Sequence, residues 1–224
     1  VTHWMYERIK NVIVIAENPF MITCSQLTKE DAVYPDIVQY LEVVKSKYGY
    51  KDILISNIKG LITVATAEEG VGNDISHMEF FKRAVQGHTL VSGIIPSEVP
   101  LTNEFGEKEP DMPTMHVSTP LRDRNGVVVG IVAVRVDVKA LNDLMLSLKL
   151  GKTGETYLVN KDGYMVTESR FARDLKDMGF IKRRCALELK LVNRETDELT
   201  TGVKQCVTGN NGFDAKGYKD YRGI

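Results

Sequence analysis

The sequence predicts an α+β protein in which a long N-terminal helical segment precedes two regions of antiparallel strands. Apolar residues recur at three- and four-residue steps through residues 1–27, which is the period of a helix. The period changes to two in "KDILISNIKGLITVAT", which is typical of strands. An Asn-Gly pair in "RDRNG" lies between two apolar runs and indicates a β-hairpin. The 224 residues suit two domains of about 100 residues each.

Two helices are expected before the first strand. In residues 1–27, Pro19 should kink or divide the helix, because proline lacks the amide hydrogen that a helix interior needs. A second helix is predicted through "PDIVQYLEVVKSKYG", with Pro35 near its start and Gly49 at its end.

Strands and short helices alternate after Gly49. "KDILISNIKGLITVAT" predicts two strands joined at "NIKG", and "FFKRAVQG" predicts a short helix that Gly87 ends. "TLVSGIIP" predicts a strand, "TMHVSTPLRDRNGVVVGIVAVRVDV" a hairpin and "KALNDLMLSLKL" an amphipathic helix.

A second strand–turn–strand unit is predicted in "GKTGETYLVNKDGYMVTES". Its Asn160 and Gly163 have the same offset as Asn57 and Gly60 in the first unit, which suggests two copies of one module. Asparagine and glycine dominate turns of every kind, however, so the match alone is weak. "FARDLKDMG" then predicts a helix, and "ALELKLV" and "GYKDYRG" predict strands.

Composition excludes several classes of function. The net charge of −1 offers no basic field to attract nucleic acid, and no apolar run approaches the roughly 20 residues of a transmembrane helix. Because the chain begins at Val1 and ends within a predicted strand, we expect a fragment of a larger protein. Cys24, Cys185 and Cys206 are either three buried apolar side chains or include a Cys185–Cys206 disulfide.

The residues give no sign of catalysis, a metal or a cofactor. There is no Walker loop, no GxSxG, no HExxH and no GxGxxG after a strand. The histidines are scattered, at His3, His77, His88 and His116. We therefore predict a non-catalytic fragment, and a small hydrolase is the less favoured alternative.

The order of the motifs carries a family resemblance. "SHMEFFKRA", then "STPLRDRNGVVVGIVAVRVDVKAL" and then "GKTGETYLVNKDGYMVTES" resembles the double Cache family of tandem PAS-like sensor domains of transmembrane receptors. The stretch "ESRFARDLKDMGF" looks most like the sensor domains of histidine kinases.

The resemblance implies a fold, a location and a function. It implies a stem helix region at 1–33, a membrane-distal, ligand-binding PAS-like module at 34–138, and a linker helix with a C-terminally truncated, membrane-proximal PAS-like module at 139–224. Each module would be a mainly antiparallel sheet with short helices. The domain would lie outside the cytoplasm on a membrane-embedded sensor histidine kinase, as a homodimer through the stem helix, and would signal the binding of a small molecule. The alternative parent is a methyl-accepting chemotaxis receptor.

The resemblance also implies where a ligand binds. In amino-acid-binding members, an arginine of the pocket helix holds the ligand carboxylate; Met78 stands there in this chain. An aromatic pair of that helix corresponds to Phe80 and Phe81, and the acid that holds the ligand ammonium corresponds to Arg135. An α-amino acid held in the usual way is therefore not expected.

Arg135 is the side chain on which the ligand class depends. Together with Asp137 it supplies the only charge in an otherwise apolar strand, and a buried guanidinium needs an anion. Arg135 either pairs with Asp137 or with another carboxylate, or faces a pocket and binds an anionic, carboxylate-like ligand, or is simply exposed. Phe80 and Phe81 are either both in the core or divided between core and pocket rim. The candidate ligand-binding residues are His77, Met78, Phe80, Phe81, Ser92, His116, Ser118, Arg135 and Asp137.

Overall fold

A computed structural model describes two compact units of the chain. The units comprise Val1–Asp137 and Val138–Ile224. The described residues are 2–103, 105–148, 151, 154–212, 217 and 219–223. No helix among them is both long enough and apolar enough to cross a membrane. The domain boundaries predicted above, with a separate stem at 1–33, stay a prediction.

The described part of the first unit contains four α-helices. They are α1 (Thr2–Ala16), α2 (Pro19–Cys24), α3 (Tyr34–Tyr48) and α4 (Glu79–Val85). Pro19 divides the N-terminal helical segment as expected: it is the first residue of α2, and the side chain of Asn18 accepts a hydrogen bond from the amide of Phe20. Gly49 ends α3 in the left-handed conformation (φ 69°), which glycine adopts without steric cost.

The first unit is built around one antiparallel sheet. Its long strands are β1 (Tyr50–Asn57), β2 (Ile62–Ala65), β7 (Pro113–Arg122) and β8 (Val128–Val136). Two-residue strands β3 (Leu90–Val91) and β4 (Ile95–Pro96) pair with β7, and β5 (Leu101–Thr102) and β6 (Lys108–Glu109) form a separate ribbon. The main sheet has the order β2-β1-β8-β7-β3. The predicted strand "TLVSGIIP" is thus divided into β3 and β4, between which Ser92, Gly93 and Ile94 lie outside the strands.

Alternation along the strands gives the sheet two different faces. Helices α1 and α3 contact one face, and α4 contacts strands β7 and β8. On the α4 face, Ile131 and Ala133 of β8 pack with Phe80, Phe81 and Ala84 of the helix in a buried apolar cluster. The next residue of β8 with the same orientation is Arg135, so the apolar cluster adjoins a charge at the end of the strand.

The second unit is less regular than its sequence predicts. It contains α5 (Lys139–Ser147), α6 (Ala172–Asp177) and α7 (Thr201–Val207). Among its described residues, strand pairing is limited to isolated bridges, such as Val159 with Met165 and Val192 with Leu199. The segment "ALELKLV" is therefore not a regular strand, and "GYKDYRG" lies partly outside the described residues. The α+β class is confirmed, whereas a second sheet is present only as these bridges.

The turn that suggested an internal repeat is indeed found in both places. The side-chain oxygen of Asn57 accepts hydrogen bonds from the amides of Lys59 and Leu61, and that of Asn160 accepts the equivalent pair. Gly60 and Gly163 each have a positive φ. The same pattern also forms at "DRNG" and "NEFG", which begin at residues 123 and 103. The match therefore identifies a common hairpin turn and is no argument for a duplicated module.

The cysteines do not form the disulfide that was considered. All three are free thiols. Cys24 and Cys185 are buried, whereas Cys206 is exposed on α7, so Cys206 is not the buried apolar side chain that the other interpretation expected. Cys185 and Cys206 are therefore not bridged.

Candidate functional site

Three ionisable side chains form a row across three neighbouring strands. Arg135 of β8 is paired in register with Asp52 of β1 on one side and with His116 of β7 on the other. Residues in register on neighbouring strands point to the same face of the sheet, which here is the face that α4 covers. All three residues are buried: Asp52 is 4% exposed, His116 0% and Arg135 2%.

A fourth ionisable side chain completes the cluster. Glu98, on the connection between β4 and β5, forms a two-pronged ion pair with Arg135. Its Oε2 accepts from Arg135 Nη1 at 3.4 Å, while its Oε1 accepts from Nη2. Asp52 Oδ2 lies 4.0 Å from the same Nη2. Asp137 instead contacts Lys51, whose Nζ is 3.0 Å from its Oδ2. Arg135 therefore both lies on the α4 face and pairs with a carboxylate other than Asp137.

His116 is held between a ring and a carboxylate. Its imidazole stacks on Phe80 with the ring centres 4.4 Å apart, and its Nε2 lies 3.5 Å from Glu98 Oε1. Backbone contacts with Ser92 fix the strand here: Ser92 N donates to His116 O at 2.8 Å, and His116 N donates to Ser92 Oγ at 2.9 Å. The ring is thereby placed against the Glu98 carboxylate.

The two carboxyl groups beside Arg135 have opposite pKa shifts. Burial raises the pKa of Asp52, although Thr66 Oγ1 and the Ala67 amide donate hydrogen bonds to its Oδ1. Burial by itself also raises the pKa of Glu98, but the contact with His116 and the charges of His116 and Arg135 outweigh it and hold that pKa at about 2. Glu98 is therefore the carboxylate that neutralises Arg135.

The cluster leaves much of its hydrogen-bonding capacity unused. Both ring nitrogens of His116, the Nε of Arg135, and the hydroxyls of Thr114 and Ser97 are buried without a hydrogen-bond partner. Thr114 lies two residues before His116 on β7, and Ser97 directly precedes Glu98. Buried polar groups are ordinarily paired with protein or with ordered water, so these groups offer hydrogen bonds to any water or small polar molecule that reaches them.

The nine candidate residues divide into three groups. His116 and Arg135 contact Glu98, and Phe80 and Ser92 contact His116. Phe81 is buried in the apolar cluster and Met78 packs against that cluster, while Ser118 Oγ donates to the backbone oxygen of Phe80. His77 is exposed, and Asp137 belongs with Lys51.

Sequence reasoning missed Asp52 and Glu98. Asp52 is the acid inside the strand "KDILISN", and the argument that singled out Arg135 in β8 applies to it equally. Glu98 stands in "PSEVP", within a polar loop where nothing distinguishes it from other exposed acids. Only the fold brings it to Arg135, 37 residues later in the chain.

Two clefts lie elsewhere in the described residues. A cleft of about 360 Å³ between α2 and α3 is lined by Asn18, Phe20, Met21, Val33, Asp36, Ile37 and Tyr40. A cleft of about 300 Å³ in the second unit is lined by polar residues that include Asn193, Glu198 and Lys219. In the described part of the chain, no group of three acidic, histidine or cysteine side chains is placed to hold a metal ion.

Solved structures that superpose on this chain share little sequence with it. An extracellular ligand binding receptor from Desulfohalobium retbaense superposes with a TM-score of 0.54 at 14% identity over 91% of this chain. The sensor domain of Escherichia coli DcuS gives 0.49 at 15% identity over 62%. The extracellular domain assigned to histidine kinase rpHK1S-Z16 gives 0.45 at 18% identity over 58%. The matches span 31%, 92% and 52% of those chains, respectively.

The family follows from a sequence model. No curated protein sequence matches the chain. A family model described as a Cache domain, however, matches residues 4–220. The chain therefore belongs to the Cache domain family, a family of extracellular sensor domains.

Proposed function

We propose that the chain is the extracytoplasmic, small-molecule-sensing part of a transmembrane receptor, and that its ligand is a small carboxylate bound on the α4 face of the first unit. Membership of the Cache domain family supports the sensing role. The observation that carries the ligand class is Arg135, a buried guanidinium that already holds a carboxylate between α4 and the sheet.

The chemistry of Arg135 favours a carboxylate over an amine or a sugar. The planar guanidinium presents parallel N–H groups that match the two oxygens of a carboxylate. His116 and Thr114 supply further hydrogen-bonding groups on the neighbouring strand. Phe80 closes the side of this site, since its ring covers His116.

Signalling would follow from a shift in population between two arrangements of the domain. A ligand changes the balance only through its different affinity for the two states, and couplings of this kind are typically worth about 1–3 kcal/mol. The receptor is proposed to be a homodimeric sensor histidine kinase, with α1 in the dimer contact. A chemotaxis receptor is the alternative, and the full-length sequence distinguishes them by a phosphorylatable histidine with an ATPase domain or by a long methylated coiled coil.

A thermal-shift screen tests the ligand class. The chain is heated with small carboxylates, amines, purines and sugars, and binders are verified by calorimetric titration. Carboxylates should raise the melting temperature because a ligand of the folded state stabilises it by mass action. The double variant R135Q/E98Q should lose this response while keeping the fold, because both buried charges are removed together.

A matched variant provides the control. Lys51→Ala removes an exposed cation of β1, next in sequence to Asp52, and should leave the carboxylate response unchanged. A response retained in R135Q/E98Q would move the binding site away from Arg135. A response to amines or sugars alone would contradict the proposed ligand class.

A further inference from the structure

We propose that Glu98 is an internal substitute for the ligand: without ligand its carboxylate occupies the anion site formed by Arg135 and His116, and a small carboxylate must displace it in order to bind. The inference rests on the proposed function and adds the way in which the site is kept closed. It makes the connection between β4 and β5 the part of the first unit that moves on binding.

Glu98 and a ligand carboxylate exclude each other at Arg135. Glu98 already uses both terminal nitrogens of the Arg135 guanidinium, one for each of its oxygens. Its Oε1 also lies against the imidazole of His116. While Glu98 remains, a second carboxylate cannot make the same two-pronged contact. The two terminal nitrogens of the guanidinium together donate to one carboxylate in this way.

Glu98 stands on a short connection and not in the main sheet. It lies between two strands of only two residues each, β4 and β5. The amide of Ser97 donates to Met112 O at 2.9 Å, which fixes the start of this connection beside β7. Glu98 can therefore leave Arg135 without breaking the pairing of β1, β8 and β7, where the rest of the site is built.

Glu98 fits the site incompletely. With its carboxylate in place, the Nδ1 of His116, the Thr114 hydroxyl and the Nε of Arg135 still lack hydrogen-bond partners, and the Nε2 of His116 has only the 3.5 Å contact with Glu98 Oε1. Unpaired buried polar groups destabilise the folded state. A free ligand that carries a carboxylate and a second hydrogen-bonding group can satisfy more of them than Glu98 does. The expected ligand class is a small carboxylate with one further polar group, such as a hydroxy acid.

Competition has a measurable consequence for affinity. While Glu98 occupies the site, the apparent dissociation constant of a ligand is the intrinsic constant divided by the small fraction of molecules in which the site is open. Removing the Glu98 side chain makes that fraction close to one. Glu98→Ala should therefore bind small carboxylates at least about tenfold more tightly than the unmodified chain does.

Replacement of the lost side chain by acetate tests the inference directly. Glu98→Ala leaves Arg135 buried without its anion, so this variant should melt at a lower temperature than the unmodified chain. Sodium acetate should restore the melting temperature of Glu98→Ala in a saturable manner, whereas sodium chloride at the same ionic strength should not. Acetate has no second polar group with which to compensate for the displacement of Glu98, so the unmodified chain should respond to neither salt over the same range.

Two matched variants show where acetate acts. Glu195→Ala removes an exposed glutamate that also pairs with a single cation, Lys219, and should show no acetate-specific response. Glu98→Ala combined with Arg135→Gln should lose the response. If Glu98→Ala does not fold, Glu98→Gln replaces it in calorimetric titration with acetate, where tighter binding than in the unmodified chain is expected.

The outcomes separate this inference from the proposed function. Equal acetate responses in the unmodified chain and in Glu98→Ala would overturn the inference, as would a response that survives Arg135→Gln. If carboxylates from the screen bind the unmodified chain through Arg135 but Glu98→Ala binds them no more tightly, only the inference fails. If no carboxylate binds either protein, the proposed ligand class fails as well.

Discussion

Glu98 and Asp52 are the two carboxyl groups next to the buried guanidinium of Arg135. Burial raises the pKa of Asp52, whereas the contact with His116 and the nearby charges lower the pKa of Glu98 to about 2 despite its burial. Protonation in acid should therefore favour the folded state at Asp52 and disfavour it at Glu98. A comparison of the unmodified chain with a variant that has a neutral side chain at position 98 isolates the contribution of Glu98.

The unmodified chain should lose its advantage over Glu98→Gln in acid. A carboxyl group whose pKa falls from 4.5 to about 2 on folding stabilises the fold fully above pH 4.5 and loses that contribution as the pH falls to about 2. The difference in free energy of unfolding between the two proteins should shrink by about 3 kcal/mol over that range, at 1.36 kcal/mol per pKa unit. Urea unfolding of both proteins at several pH values measures it.

A constant difference between the two proteins would contradict this assignment. The surface variant Glu195→Gln is the control: its side chain is exposed, and its contact with Lys219 is open to solvent. Its difference from the unmodified chain should stay small throughout, because exposed ion pairs contribute little.

Among the elements, β8 shows most clearly what sequence can and cannot predict. Its hairpin with β7 and its alternation follow from "RDRNG" and from the apolar period. The importance of Arg135 also follows, because a buried cation is costly in any fold. The partner of Arg135 could not be predicted from the sequence, because Glu98 reaches Arg135 from an irregular connection whose path no periodicity describes. The prediction for "ALELKLV" in the second unit is wrong for a related reason: the segment forms only isolated bridges, and a short apolar run has the same pattern whether or not it enters a regular sheet. Helix α7 is not predicted at all.

Gly130 of β8 should tolerate no side chain. A Cβ at this position would lie 2.1 Å from the backbone oxygen of Ser56 on β1 and 3.2 Å from the Cβ of Ser25. Because a strand backbone cannot move away like a flexible side chain, Gly130→Ala must separate β1 from β8 locally. We expect it to lower the free energy of unfolding by about 1–3 kcal/mol, as overpacked cores do, measured by urea unfolding.

Gly93 provides the matched glycine for this test. It lies outside the strands, and a Cβ there would meet no atom within 4 Å. Gly93→Ala should change the free energy of unfolding by less than about 1 kcal/mol. Equal effects of the two substitutions would show that the close approach of β1 and β8 at Gly130 is wrong.

At the scale of the whole chain, the two units differ in how their backbones are held. The first has a continuous antiparallel sheet, whereas pairing in the described part of the second consists of isolated bridges. Each unit contains one buried cysteine: Cys24 in the first and Cys185 in the second. Burial raises the pKa of both thiols to about 12. Neither should react with a thiol reagent until its own unit opens, since the thiolate is the reactive form.

Thiol labelling therefore tests the cysteine assignment and the stability of each unit together. At pH 8 the folded chain should release one equivalent of thionitrobenzoate from Ellman's reagent, through the exposed Cys206, and three after denaturation. In Cys206→Ser, mass spectrometry after labelling in increasing urea should find Cys185 modified at lower urea than Cys24. The continuous sheet around Cys24 must lose many more backbone hydrogen bonds before it opens. A Cys185–Cys206 disulfide would instead leave one reactive thiol after denaturation without reductant, and simultaneous labelling of Cys24 and Cys185 would show that the two units open as one.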